Sequence, residues 1–413
     1  MNRSMHLYRL GATAMSSHAP RCAAALTALL AASAHAQNLL GDDSFEYYGQ
    51  IGSPWVNLPG TSPTLHQNRF IHNTPRCKNV LGLDIDPTTA ALDGVRQTRF
   101  QPSLATGLFL GYVDFAGDRS RAVAPWTSQL RMAVSSSSMS IAHSLTAPVP
   151  LLQPMINTLV QFSSFYSRAK IFAIPLPQSQ NFQFEIRDDD DRGVLVDNVH
   201  FFPLHIIDCN QGQPLGLAGY SVESDYSVPT TSTFPISDLM FGTSSASSCF
   251  ALPMCDWTPD NKAVWVWSNE CDCKTQMIIA GWSQAAVPIN LKLHMEIEGL
   301  AGQGLPGFTV QFYDWVAQRW VAPADPLNLG KAFPGGKVIL GPSCYSIDFT
   351  GYNGMPPLSA YTAGASFSGL RLVMARITFG TCGDWPSSCL YRYPPPPCSS
   401  FLIKVHHANI ECN

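Results

Sequence analysis

Several stretches of this 413-residue chain carry side chains that could do chemistry. Glu296 and Glu298 close the run Ile289-Asn-Leu-Lys-Leu-His-Met-Glu-Ile-Glu298. On an extended strand they share a face with Cα atoms about 6.5–7 Å apart, a separation that glycosidase acids use. Every residue of that face is polar, however, as on any wet face, and nothing nearby in sequence would raise the pKa of one acid above the other. Asp188-Asp-Asp-Asp-Arg-Gly193 is rich in oxygen donors. An EF-hand-like loop wants an oxygen at its fifth position and a glutamate at its twelfth. Arg192 and Val199 stand there, so the stretch reads as a solvated hairpin loop with Gly193 supplying a positive φ. Gly302-Gln-Gly-Leu-Pro-Gly307 matches a dinucleotide fingerprint but leads into the strand-like Phe308-Thr-Val-Gln-Phe-Tyr instead of a helix. His406 and His407 are adjacent, so on a strand they face opposite sides and cannot chelate one metal. No H-E-x-x-H or G-x-S-x-G occurs.

Aromatic side chains are the remaining candidates. Seven of the nine tryptophans lie in the second half. Trp265 and Trp267 share one strand face. If Phe308, Val310 and Phe312 are core, Tyr313 and Trp315 face outward. Sugar rings present apolar C–H faces that stack on exposed aromatics, which makes Trp265, Trp267, Tyr313 and Trp315 the candidate ligand contacts, with burial in a core as the alternative. Of twelve cysteines, Cys22 belongs to the leader described below. Eleven remain, an odd number, so at least one stays free or pairs between molecules. Cys249, Cys255, Cys271 and Cys273 have C-x5-C and C-x-C spacings that fit zinc poorly and are expected to form disulfides among themselves.

The elements that would position these groups are strands. Ile289, Leu291, Leu293, Met295 and Ile297 alternate with polar residues, and Phe182, Phe184 and Ile186 alternate with Gln183 and Glu185. Further β-rich runs are Leu108–Phe115, Leu159–Pro175, Ala263–Trp267, Met277–Trp282, Phe308–Trp315, Leu370–Phe379 and Phe401–Ile410, punctuated by Gly, Pro, Ser and Asn. Only Leu151–Phe165 could be helical, and Pro154 weakens it. Short strands without βαβ alternation predict an all-β chain of antiparallel sandwiches. Lys404-Val-His-His-Ala-Asn-Ile410 lies on Leu195-Val-Asp-Asn-Val-His-Phe201 without a gap, which suggests two similar domains, each ending on its closing strand.

Arg3, Arg9 and Arg21, the apolar run Ala23 to Ala32 and Ala34-His35-Ala36 form a signal-peptide pattern with cleavage before Gln37. No later apolar stretch is long enough to span a bilayer, so a secreted, extracytoplasmic chain at the periplasm or cell surface is expected, with disulfides accessible to it. Charged residues are 13% and net charge is −4. Without a basic block, nucleic acid is excluded as a partner class. The expected organisation is signal peptide 1–36, a first domain 37–210, a turn-rich linker 211–225 and a second, cysteine-rich β-sandwich 226–413.

Asn38-Leu-Leu-Gly-Asp-Asp-Ser-Phe-Glu46, Trp55 and the closing Val194-Leu-Val-Asp-Asn-Val-His-Phe201 resemble the galactose-binding-like β jelly rolls, which include many bacterial carbohydrate-binding modules. The resemblance rests on the ends of the first domain. It implies that first and last strands are neighbours and that a structural Ca2+ is held by Glu46 and Asp197, with Asp43 as a third carboxylate; several hard oxygens are what calcium needs. His406 stands where Asp197 would align in the second domain, so the site is not extended there. The resulting expectation is two jelly-roll-like sandwiches in tandem, an exported non-catalytic module for glycan or another cell-surface polymer. The alternatives are a structural or adhesive surface protein, with self-association, and a glycan hydrolase.

Overall fold

The computed structural model describes residues 39–40, 45, 51, 54–67, 79–84, 92–101, 107–119, 121, 124–149, 165–174, 180–204, 217–222, 241–243, 262–268, 275–283, 285, 287–299, 307–321, 331–333, 343–349, 356–362, 366–367, 369–380 and 401–412. The first ten strands are β1 (Val56–Asn57), β2 (Thr64–Gln67), β3 (Asn79–Leu83), β4 (Gly94–Gln101), β5 (Leu108–Gly117), β6 (Thr127–Ser135), β7 (Ser140–Pro148), β8 (Tyr166–Ala173), β9 (Gln180–Asp188) and β10 (Val194–Leu204). They form two antiparallel sheets, ordered β1-β4-β9-β6-β7 and β2-β3-β10-β5-β8. Apart from the edge strands β1 and β2, this is the strand order of an eight-stranded jelly roll.

The second half repeats it. Its strands are β11 (Leu217–Val222), β12 (Phe241–Thr243), β13 (Lys262–Ser268), β14 (Thr275–Ser283), β15 (Leu291–Gly299), β16 (Gly307–Asp314), β17 (Arg319–Val321), β18 (Lys331–Phe333), β19 (Ser343–Asp348), β20 (Ser366–Phe367), β21 (Leu370–Gly380) and β22 (Phe401–Cys412). The sheets run β11-β14-β21-β16-β17, with β18 and β20 alongside, and β12-β13-β22-β15-β19. The same eight-strand order is therefore built twice. A single 3-10 turn, Leu358–Tyr361, is the helical element among the described residues. None of these has a helix long and apolar enough to cross a membrane. Residues 217–222, expected in a linker, instead form β11, which pairs antiparallel with β14: the polar turn signals flank a strand that the sheet needs at its edge. The helix candidate Leu151–Phe165 lies outside the described residues except at Phe165.

Among the described residues three large cores, and a small cluster of Val80, Ala116 and Leu195 with Phe165 against it, hold the strands together. Phe182, Phe184 and Ile186 face Phe109, Val113 and Phe201 inside the first sandwich. Leu291, Leu293, Met295 and Ile297 face Phe308, Val310, Phe312 and Val373 inside the second. The first alternation is the one expected from the sequence; in the second, Leu291–Ile297 follow it, whereas Ile289, expected on the same face, precedes β15 and is 72% exposed. The third core lies between the sandwiches, where Leu108, Leu110, Tyr112, Phe202 and Leu204 pack on Ile278, Trp282, Tyr313, Trp320, Leu372 and Met374. The four sheets thus stack as layers. Because both faces of the central sheets are covered, β5 and β10 are buried at every position, which is why Leu108–Val113 reads as a near-continuous apolar run, while Val194–Phe201 also buries Asp197, Asn198 and His200.

A bulge sets the register of β10. Asn198 takes φ 49°, and Asn198 and Val199 together oppose one residue of β5. The extra residue shifts the side-chain alternation, so Val196 and then Val199 and Phe201 enter the core. β22 carries a corresponding bulge at His406, and Val405, Ala408 and Ile410 enter its core. The gapless alignment of the two closing strands therefore matches core position to core position, bulge included.

Candidate functional site

The two ends of the first sandwich meet. The Leu39 amide donates to the Phe201 carbonyl at 2.8 Å, and Leu40, Phe45 and Trp55 are buried in the first core, with Phe45 and Trp55 ring centroids 5.4 Å apart. Leu39 of the opening motif is thus hydrogen-bonded to the closing strand. Asp197 is 2% exposed and stands opposite Asp114, itself buried. Asp197 Oδ1 accepts the Asn198 amide at 2.9 Å. Asp114 Oδ1 accepts the Tyr112 hydroxyl at 2.5 Å and the Ser167 hydroxyl at 2.6 Å, and Oδ2 accepts Asn198 Nδ2 at 3.0 Å. Asp43 and Glu46 lie outside the described residues, and no group of three potential ligands among the described residues is arranged to hold a metal.

The aromatic candidates fare differently. Tyr313 does lie on the face opposite Phe308, Val310 and Phe312, but that face is not solvent. It is 1% exposed in the core between the sandwiches; its hydroxyl donates to the Ser167 carbonyl at 3.0 Å, and burial pushes its pKa well above the usual tyrosine range. Tyr313 is therefore withdrawn as a ligand contact. Trp315 is half-buried at the edge of the same core, 4.9 Å from the Tyr313 ring, with its Nε1 buried and lacking a hydrogen-bond partner. Trp265 and Trp267 occupy β13, opposite Lys404 and Leu402 of β22, and their side chains lie outside the described residues.

The loop end that sequence reasoning set aside is chemically the densest. Asp188-Asp-Asp-Asp-Arg-Gly193 is not a hairpin: β9 and β10 belong to different sheets, so the loop arches across the sandwich end. Gly193 does take a positive φ, 78°, and a Cβ there would lie 3.1 Å from the Asp84 carbonyl. Nor is the loop fully solvated. Asp84, Asp93, Asp118 and Asp188 are buried, and the Asp118 amide donates to the Gly193 carbonyl at 2.9 Å. Asp188 Oδ1 accepts the Asp190 amide at 3.1 Å and Oδ2 the Gly193 amide at 3.0 Å. Asp84 and Asp93 exchange amide-to-carboxylate bonds of 3.0 and 2.8 Å. The Arg121 guanidinium donates to the Asp84 carbonyl and, at 2.8 Å, to the Asp191 carbonyl. Burial, aided by the charges of Asp93 and Asp191, pushes Asp84 up to about 6; burial and then the neighbouring Asp190 charge push Asp188 up as well.

A pH dependence follows. Folded Asp84 keeps its proton to about pH 6, whereas an unfolded aspartate releases it near 4. The folded state therefore binds the extra proton between those values. The stability this contributes is full below about pH 4 and is lost as pH rises through about 6, with Asp188 extending the loss upward. Asp84→Asn, an amide that tolerates the φ of 51° at this position, should melt like wild type at pH 4 and gain about 2 kcal/mol over it at pH 8. Equal melting of the two proteins at both pH values would show that Asp84 is not held protonated.

Other sequence signals resolve simply. The face of β15 expected to be wet buries Glu296 to 1% exposure and His294 to 9%, with His294 Nε2 and Glu411 Oε2 2.9 Å apart. Alternation reports which residues share a face, not whether that face is covered. The Glu298 side chain, like those of His406 and His407, lies outside the described residues. Gly302–Gly307 leads from β15 into β16 and opens a strand. Cys249, Cys255, Cys271 and Cys273 lie outside the described residues. Cys344 is disulfide-bonded, and Cys412 is a free thiol buried in the second core, its pKa raised to about 11 by burial. A buried thiol of that kind is unsuited to pairing between molecules.

The fold is an all-β double jelly roll. No protein-family model matches the chain, and no curated protein matches it. Among solved structures, the N-terminal CBM22-1–CBM22-2 tandem domain of Paenibacillus barcinonensis Xyn10C is similar over 92% of this chain and 98% of its own, at 9% identity and TM-score 0.26. TmCBM61 in complex with β-1,4-galactotriose is similar over 40% of this chain and 97% of its own, at 11% identity and TM-score 0.26. The enzymatically active domain of bacteriophage CBA120 tailspike protein 4 is similar over 40% of this chain, at 15% identity and TM-score 0.27; the match spans 21% of that protein's length. The jelly-roll assignment rests on the strand order itself.

Proposed function

We propose that this chain is an exported, non-catalytic glycan-binding module built as two jelly rolls sharing one interface. The observation that carries the reading is the arrangement of the first sandwich: the opening segment hydrogen-bonds to the closing strand at Leu39 and Phe201, and Phe45 of the Phe45-Glu46 pair is buried in the core. That is the end-to-end closure that the resemblance to galactose-binding-like modules requires. The signal-peptide pattern before Gln37 supports export. Binding of the purified full chain to immobilised neutral polysaccharides, without release of reducing ends, is the expected result. Turnover of a labelled glycan that disappears in Glu296→Gln would replace this reading with that of a hydrolase.

The same reading includes a structural calcium ion held by Asp197 with Asp43 and Glu46. Bound there, the ion would supply positive charge and tie the two ends of the first sandwich together, stabilising only the folded state. At one hundred times its dissociation constant, linkage contributes about 2.7 kcal/mol. Chelator should lower the melting temperature by several degrees, and Asp197→Asn should abolish the difference between calcium and chelator. Identical wild-type melts in both conditions would remove the ion from the proposal.

A further inference from the structure

Among the residues described as exposed large hydrophobics, Trp126 is the one aromatic, at 42% exposure. It sits in the turn before β6 at φ 56°, a backbone region that a bulky side chain adopts only when its surroundings impose it. Those surroundings are visible. The Trp126 carbonyl accepts the Val149 amide at 2.8 Å, and the next carbonyl, of Thr127, accepts Arg192 Nη1 at 2.8 Å. The register of β6 with β7 and β9 puts this turn at the same end of the sandwich as the Asp188–Gly193 arch.

That end is polar and hydrogen-bonded from within. Beneath it, the Asp188 carboxylate and the Arg121 guanidinium fasten the arch, as described above. On its surface, Asp191 presents a side chain that is 60% exposed, beside Arg121 at 3.5 Å. Asp189 accepts the Ser144 hydroxyl at 2.7 Å and lies 3.8 Å from Arg187. Asp189, Asp190 and Asp191 each lie beside an arginine, Arg187, Arg192 and Arg121, so the described rim offers no unpaired cluster of bases that would select a sulfated or uronate chain.

We propose that Trp126, immediately before β6, and the β9–β10 arch form the glycan site, with Trp126 stacking on the apolar face of a neutral pyranose and Asp191 accepting its hydroxyls. An indole face offers the C–H side of a sugar ring an apolar contact, and a preset turn spares the ordering cost that a mobile loop would incur on binding. The inference rests on the glycan-binding reading and assigns its location to the first sandwich, away from the tryptophans of the second half.

The test is affinity electrophoresis of the full chain through gels containing xylan, β-1,4-galactan or mixed-linkage β-glucan. Wild type should be retarded by at least one of them. Trp126→Ala should weaken that binding at least ~10-fold, as expected when an aromatic contact worth about 1.4 kcal/mol is removed, whereas Trp126→Phe, which keeps a ring, should stay within about threefold. Asp191→Asn, on an exposed side chain that no core depends on, should weaken it severalfold and keeps the inference falsifiable if Trp126→Ala disturbs the turn. Retardation of Trp126→Ala and Asp191→Asn equal to wild type would overturn this site while leaving glycan binding in place. A wild-type chain retarded by none of the three would overturn both.

Discussion

Replacing Trp320 by alanine should cost on the order of 3–5 kcal/mol of folding free energy, the range for truncating a buried large aromatic. Trp320, in β17, is 5% exposed and belongs to the core between the sandwiches. Its Nε1 donates to the Tyr112 hydroxyl of the first sandwich at 2.9 Å. Its ring lies 6.0 Å from that of Tyr112 and 5.1 Å from that of Tyr313, with the Arg376 guanidinium 4.7 Å from its centroid. Alanine would remove the ring contacts, the cation–π partner and the hydrogen bond together, and leave a cavity between two rigid sheets that cannot collapse into it. Denaturant unfolding should show a lowered midpoint, with the two sandwiches unfolding less cooperatively than in wild type. A loss below 1 kcal/mol would mean that the interface contributes little and that the sandwiches behave as independent domains.

Asp114→Ala should have an effect of comparable size, for an electrostatic reason. Its carboxylate accepts hydrogen bonds from Tyr112, Ser167 and Asn198 in a buried setting. Removing it takes the acceptor from the buried Asn198 side-chain amide and from the Tyr112 hydroxyl, which has the half-buried Ser167 hydroxyl at 2.9 Å as an alternative, and each buried polar group left unsatisfied costs about 1–3 kcal/mol. Tyr112 also accepts from Trp320, so the two substitutions act on one network. The double variant should be destabilised by clearly less than the sum of the singles. Full additivity, measured by denaturant midpoints, would show that the chain Trp320–Tyr112–Asp114 is not energetically connected. Gln276 of the second sandwich and His200 of the first, 3.1 Å apart, extend the polar part of the same interface.

Local pattern alone was enough for the all-β class, the run of strands and the assignment of side chains to faces. Phe182, Phe184 and Ile186 and the apolar half of Leu291–Ile297 lie in cores as their alternation requires, because the two-residue period is a property of the extended backbone itself. The repeat between 195–201 and 404–410 was also legible, since two strands with equivalent roles keep the same core positions and the same bulge. What covers each face was decided only in three dimensions. Tyr313 has the parity of an outward residue, yet its outer face meets the first sandwich; Glu296 has the pattern of a wet face and is buried. The near-continuous apolar character of Leu108–Val113 was the available sign that a second layer lay over both faces. The acidic arch was misread for a related reason. Four successive aspartates resemble a solvated loop, and only the arrival of Asp84, Asp93 and Arg121, which lie outside the strands and in Arg121's case 70 residues from its partner Asp191, turns part of that run into a buried hydrogen-bonded network and leaves Trp126 exposed at its side. Periodicity along the chain encodes which residues share a face, whereas burial depends on which distant face arrives to meet it, and that is set by docking between elements far apart in sequence.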